Sequence, residues 1–464
     1  MGAVIVLCLA QFMVILDITV VNVALPTIQE DLRFGIGDLQ WVITAYTLSF
    51  GSLLLLGGRA ADLLGRRRIF VSGLLVFTGA SLGAALATSA SSLIAARVGQ
   101  GVGAAMLSPA ALSLITTMFD GPARQRALAT WAAVAASGGA FGVLAGGVLT
   151  ETLGWRAVFV VNVPVGIAVG VAALRILPGG RGARGRRLDI GGALLAVGSL
   201  VALIYGLVEA PSAGWGSAQT IGLLLGAAVG MTAFVLVETR VREPLVPLSV
   251  FRRRPRVVAW VLMIAGMGTV MSAFFFLTLY LQSVLGHSAL RTGLEFLPGA
   301  LLLVVAAHAG GRIVGGVGVK PVLASGLALG ALGSLLLSGV SANGTYARDV
   351  LPGMLVLDAG IGLAASGIFV TAMSDVSHEE AGLVSGLTST AHEIGIALVL
   401  SVLSSIAFGG SAMTAAGIDG ATVESGLHDA FVAAATIAFG ASVLAATALR
   451  RSDVQPGTHA ALAH

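Results

Sequence analysis

Charge is scarce in this chain. Only 10% of its 464 residues are Asp, Glu, Lys or Arg, against about 25% in an ordinary soluble domain. A mean hydropathy of +0.97 and a 56% hydrophobic content accompany that scarcity. Together they exclude a soluble globular protein and indicate a polytopic membrane protein. Lysine occurs once, at Lys320, and arginine 25 times. Either would serve as a topology signal, so the bias reads as genome base composition. The pI near 9.8 would suit a nucleic-acid partner. None is expected, because the basic residues fall in short tracts between apolar runs. Cys8 is the sole cysteine, which excludes an intramolecular disulfide. The first apolar run lacks a basic leader and is interrupted by Asp17, which argues against a cleaved signal peptide.

A membrane-spanning helix needs about 20 mostly apolar residues. Fourteen such runs are present, near residues 2–24, 40–60, 69–89, 93–118, 127–149, 155–176, 190–209, 219–238, 257–281, 293–311, 320–341, 350–373, 382–408 and 428–449. With the N-terminus placed in the cytoplasm, 21 Lys and Arg residues fall on the cytoplasmic side and 4 outside, with Arg97 inside a span. That asymmetry is a positive-inside signal and puts both termini in the cytoplasm. Basic linkers at 178–187 and 240–256 bracket the seventh and eighth spans. The expected organisation is a six-helix bundle over 1–177, an insert with two helices over 178–256, a second six-helix bundle over 257–450, and a short cytoplasmic tail over 451–464.

Several motifs stand out. "GGRAADLLGRRR" (57–68) joins the second and third spans. Its glycines permit a tight turn, Asp62 suits a helix start or a neighbouring guanidinium, and the arginines hold the loop inside. "GGRIVGGVGVK" (310–320) echoes it about 250 residues later without the aspartate, as two related halves would. "LIAARVGQGVGAAMLSP" (93–109) carries Arg97 and Gln100 within a span, and Gly99 and Gly103 at small-xxx-small spacing. Arg97 is always charged, so it must face a polar cavity or a carboxylate. "SGGAFGVLAGGVL" (137–149) repeats Gly138, Gly142 and Gly146 along one helix face, with Gly147 beside them. "HEIGI" (392–396) lacks the second histidine of a zinc motif, so no metal is expected.

The loop motif resembles the cytoplasmic signature of the major facilitator superfamily through Gly58, Asp62, Gly65, Arg66 and Arg67; Ala60 and Leu63 depart from it. Arg97, Gln100 and Gly101 resemble the fourth-helix motif of that superfamily's proton-coupled drug exporters. The helix 5 glycines resemble the exporters' antiporter motif, with Val143 where the family has proline. "LDITVVNVALP" (16–26) is similar to the first-helix signature of the 14-helix drug:proton antiporters through Asp17, Thr19, Asn22, Ala24 and Pro26. "GWRAVFVVNVPVGI" (154–167) and "EPLVPLSVFRRR" (243–254) resemble two further segments of that family. The resemblance implies an all-α major facilitator fold of fourteen helices arranged 6 + 2 + 6.

It also implies proton-driven export of a hydrophobic or amphiphilic small molecule across the cytoplasmic membrane, by alternating access, with no cofactor and no enzymatic step. Coupling needs a carboxylate whose charge changes at working pH, and burial disfavours the charged form. The candidates are Asp17, Asp358, Glu393 and Glu295, with Arg97, Asn22, Gln100 and His392 as cavity partners. Glu295 is placed at an entrance, and Glu209 and Glu238 at helix ends in the interface. For Asp17 the competing role is a fixed pair with Arg97. Two other functions stay open: a proton-coupled importer or facilitator of a small metabolite, and a polytopic enzyme acting on lipid-linked substrates. A non-catalytic membrane sensor or scaffold is a third option.

Overall fold

The computed structural model describes residues 2–33, 35, 39–119, 121–179, 190–241, 246, 248–374, 381–408 and 420–450. The basic tract 180–189, residues 242–245, the tail from 451, and the side chains of Asp62, Arg124 and Arg126 lie outside that description. Among the described residues there is no strand, and fourteen helices of fifteen residues or more account for most of the chain.

In chain order the helices are α1 Gly2–Leu32, α2 Trp41–Leu64, α3 Arg66–Ala85, α4 Ala90–Met118 and α5 Gly121–Leu153. Then come α6 Ala157–Ile176, turned at Val161, α7 Ile190–Ala213, and α8 Ala218–Glu238. They are followed by α9 Arg254–Val284, whose last turn is a π turn, α10 Ala289–Val317 and α11 Val319–Leu337. The chain ends in α12 Tyr346–Ala372, α13 Ala381–Phe408 and α14 Gly420–Ala448. Each expected run coincides with one helix. Among the described residues, eleven helices are long and apolar enough to cross a membrane; α2, α5 and α7 contain shorter apolar segments.

Two boundaries differ most from the sequence reading. α1 continues through Pro26 to Leu32, although proline removes a hydrogen-bond donor. Tight packing in an apolar setting tolerates such a proline, and Leu25, Pro26 and Ile28 are all buried. α14 begins at Gly420 rather than near 428 because its first turns are polar and escape an apolar count.

The starts and stops follow ordinary capping chemistry. Ser89 and Ser92 form a reciprocal capping box at the start of α4, and Ser217 caps α8. Gly65 joins α2 to α3 at φ 103°, and Gly318 joins α10 to α11 at φ 88°. Both backbone angles favour glycine. The two loop motifs thus share one turn design, with Gly65 N–H donating to Ala61 O and Gly318 N–H to Val314 O.

The chain forms two compact units: residues 1–247, 274–297 and 408–420 in the first, and 248–273, 298–407 and 421–464 in the second. In the first unit α2 and α3 pack on α4, α1 packs on α5, and α7 packs on α8. Small residues set these approaches. A Cβ on Gly103 would fall 2.8 Å from Gly73 O, and one on Gly146 would fall 2.8 Å from Val20 O. In the second unit α11 packs on α12, where a Cβ on Gly326 would meet Gly360 O at 2.8 Å.

Candidate functional site

Asp17 lies midway along α1 and is fully buried. Its Oδ2 accepts an ion pair from Arg97 Nη1 of α4. Its Oδ1 accepts from Gln100 Nε2 at 2.8 Å and from Asn162 Nδ2 of α6 at 2.7 Å. Gln100 Nε2 also donates to Ser81 Oγ of α3 at 2.8 Å. The guanidinium is matched in turn. Arg97 Nε donates to Val42 O of α2 at 2.8 Å, and Nη1 to Gln100 Oε1 at 2.9 Å. The Tyr46 ring stacks 4.4 Å from the guanidinium carbon. Five helices thus converge on one buried ion pair.

Periodicity places the two α4 members. Arg97 and Gln100 are three residues apart, hence neighbours on one helix face. The glycines hold that face close: a Cβ on Gly101 would collide with Ser49 and Tyr46 of α2. A charged pair removed from water needs its other donors and acceptors engaged, and here side chains and one carbonyl engage Arg97 Nε and Nη1 and both Asp17 oxygens. Asn22 is buried one turn further along α1. The sequence reading missed Asn162, Ser81, Tyr46 and the Val42 carbonyl as members of this site. Asn162 had a signal, since an amide inside an apolar helix needs partners.

The glycines of α5 serve the approach to α1. Cβ atoms on Gly138 and Gly142 would meet Ile15 at 3.1 Å and Thr19 Cβ at 3.0 Å. Gly147 differs. It faces the start of α10, where a Cβ would lie 2.8 Å from Ala289 O. In the loop motif Gly58 makes only ordinary contact, 3.5 Å from Pro109, while a Cβ on Gly57 would collide with the Ala105 backbone. Arg67 Nη1 donates to Leu177 O at 3.1 Å, closing the end of α6. Arg66 is partly buried beside it in sequence. Asp62 sits in the last turns of α2.

Glu295 belongs to a separate cluster. Its Oε2 meets His287 Nδ1 at 2.8 Å and its Oε1 accepts from Arg291 Nε at 3.1 Å. In the second unit, Asp358 of α12 faces Gly299 of α10 so closely that a Cβ there would collide with its carboxylate. Glu393 of α13 is buried. Its Oε1 meets His392 Nδ1 at 2.9 Å, and its Oε2 has no partner among the described residues. No bond joins Asp358 to Glu393 among the described residues. Glu238, the last residue of α8, is buried, and its Oε2 accepts from Val246 N at 3.0 Å. The carboxylate anchors the segment after α8, a role that helix-end position alone does not reveal.

A cephamycin export protein of Amycolatopsis lactamdurans is 43% identical over 440 residues, covering 93% of this chain and 88% of that relative. A puromycin resistance protein of Streptomyces alboniger is 40% identical over 440 residues, covering 93% and 87%. The crystal structure of the POT family transporter PepTSo superposes with a TM-score of 0.66 at 15% identity, covering 96% of this chain and 97% of that one; at that identity the likeness is one of fold. The family model of the Major Facilitator Superfamily matches residues 7–400. The chain belongs to the Major Facilitator Superfamily.

Proposed function

We propose that the protein exports a hydrophobic or amphiphilic small molecule, of the drug or antibiotic class, from the cytoplasm in exchange for protons. The observation that carries the coupling is the buried Asp17–Arg97 pair, tied into α1, α2, α3, α4 and α6. Antibiotic export and resistance proteins at 40–43% identity support the substrate class. The fourteen helices are read as fourteen spans in a 6 + 2 + 6 order, in the cytoplasmic membrane, with both termini inside. The 21 to 4 basic asymmetry supports that orientation.

In the cycle, substrate enters while Asp17 is ionised and paired with Arg97. Protonation of Asp17 from the external side removes the charge that binds Arg97, Gln100 and Asn162 together. The five helices then repack, and the carrier returns for another substrate. No covalent chemistry is required of any residue. Asp358, Glu393 and Glu295 are further proton-carrying candidates, with His392 beside Glu393, and Asn22 and Gln100 lining the coupling region.

The test begins with a screen of toxic amphiphiles against cells expressing the wild type and Asp17→Asn. A compound so identified is then loaded with purified protein into proteoliposomes. An imposed pH gradient should drive its uphill movement by the wild type and not by the variant. Equal uphill transport without a gradient, or none by the wild type, overturns the reading.

A further inference from the structure

Several contacts fix the connection from α9 to α10. The π turn Tyr280–Val284 ends α9, and Gly286 turns the chain at φ 66°. His287 N donates to Leu281 O at 2.9 Å. Its ring Nδ1 meets Glu295 Oε2 at 2.8 Å, with His287 only 10% and Glu295 9% exposed. Around this turn the segment docks on the first unit's own helices. Gln282 Nε2 donates to Val23 O of α1 at 2.8 Å. Glu151 Oε2 of α5 accepts from Leu290 N at 3.0 Å, capping α10. A Cβ on Gly293 would lie 2.8 Å from Val143 O.

We propose that His287 and Glu295 form a proton-responsive clasp at the external end of α10, holding the α9–α10 connection against α1 and α5. The inference rests on the exporter reading, which places this connection outside. A neutral imidazole gives Glu295 at most one ordinary hydrogen bond, while an imidazolium gives a charge-assisted one, roughly twice as strong. Histidine is the side chain that changes charge between about pH 5 and 8. A proton from the external medium therefore favours the clasped arrangement, in which the connection stays docked on α1 and α5.

The surrounding charges are compatible with His287 as the sensor. Arg291, 60% exposed, donates to the second Glu295 oxygen. On α5, Glu151 is occupied by Leu290 N–H and the Ser288 side chain. On α1, Asp31 is engaged by Trp155 and Arg156, and Glu30 is exposed. His287 and Glu295 are positioning residues here: neither needs to touch substrate.

Thr150 supplies a reporter. It lies on α5 beside Glu151, is 6% exposed, and its hydroxyl has no partner among the described residues. In a Cys8→Ala, Thr150→Cys background, spheroplasts carrying the full chain are labelled with a membrane-impermeant maleimide at external pH ~5.5 to ~8.5, across the histidine range. Labelling should be slow at the acidic end and about tenfold faster at the alkaline end, within the usual range of coupling energies. His287→Gln should label fast at every pH, and His287→Arg, a fixed cation, slowly at every pH. Should the Gln variant fail to reach the membrane, the Arg variant decides alone. An unchanged pH slope in either variant, or no slope in the reporter background, overturns the clasp. Efflux that persists with a flat labelling profile removes the clasp and leaves the exporter. A pH-dependent profile in a protein that exports no screened compound removes the exporter and leaves the clasp.

Discussion

Asn162 of α6 donates to the same Asp17 oxygen as Gln100 of α4, across 2.7 and 2.8 Å. One carboxylate oxygen thus fastens α1 to two helices at once. Replacing Asn162 by Ala removes a hydrogen bond to a charged group, a loss of about 1.5–3 kcal/mol. The variant should fold with a lower melting temperature and retain the Arg97 pair. A purified Asn162→Ala protein with an unchanged melting temperature would remove Asn162 from the site.

Arg97 and Asp17 should behave as a pair. Removing one partner from a buried ion pair strands the other and costs about 3–5 kcal/mol. Arg97→Gln alone should express poorly or melt early. The double variant Asp17→Asn, Arg97→Gln leaves no stranded charge and should recover much of that stability. It should not recover proton-driven transport. A double-mutant cycle in melting temperature together with transport rates separates the structural from the coupling role.

Gly65 and Gly318 should share a sensitivity. Each occupies a positive-φ angle between two helices, a strain of about 1–3 kcal/mol for other residues. Gly65→Ala and Gly318→Ala should each lower the melting temperature, whereas Gly79→Ala, which meets nothing within 4 Å, should not. Thermal shift measurements on the three purified variants check this.

Helices α7 and α8 are expected to stand outside the transport path. Leu225 and Val229 of α8 are 61% and 68% exposed, and α8 carries no acid before Glu238. Cysteines at these positions should react with a lipophilic maleimide at the same rate with and without a transported compound. Protection by substrate at either would place α8 in the path.

Much of this architecture was legible in the sequence, for a physical reason. A bilayer obliges each spanning segment to satisfy its own backbone, so apolar runs become helices with little ambiguity. The pairing of Asp17 with Arg97 was legible too, because two buried charges of opposite sign need each other. Asn162 was marked only as an amide in need of partners, and Ser81 and Tyr46 were not marked at all. Their meeting at Asp17 and Arg97 depends on the rotation of α3, α2 and α6 about their axes, and the nearly uniform apolar character of those helices gives rotation no signature. Gly147 shows the same limit. It sits in the run of glycines that packs on α1, yet it turns toward α10, a contact that crosses about 140 residues of chain.

The central claim is that Asp17 carries the coupling proton. It is tested most directly by mixing purified, weakly buffered protein with a transported compound and following released protons with a pH indicator. The wild type should release protons on binding, and Asp17→Asn, folded and still able to bind, should release none. Normal release from the Asn variant would contradict the account and pass the role to Asp358, Glu393 or Glu295.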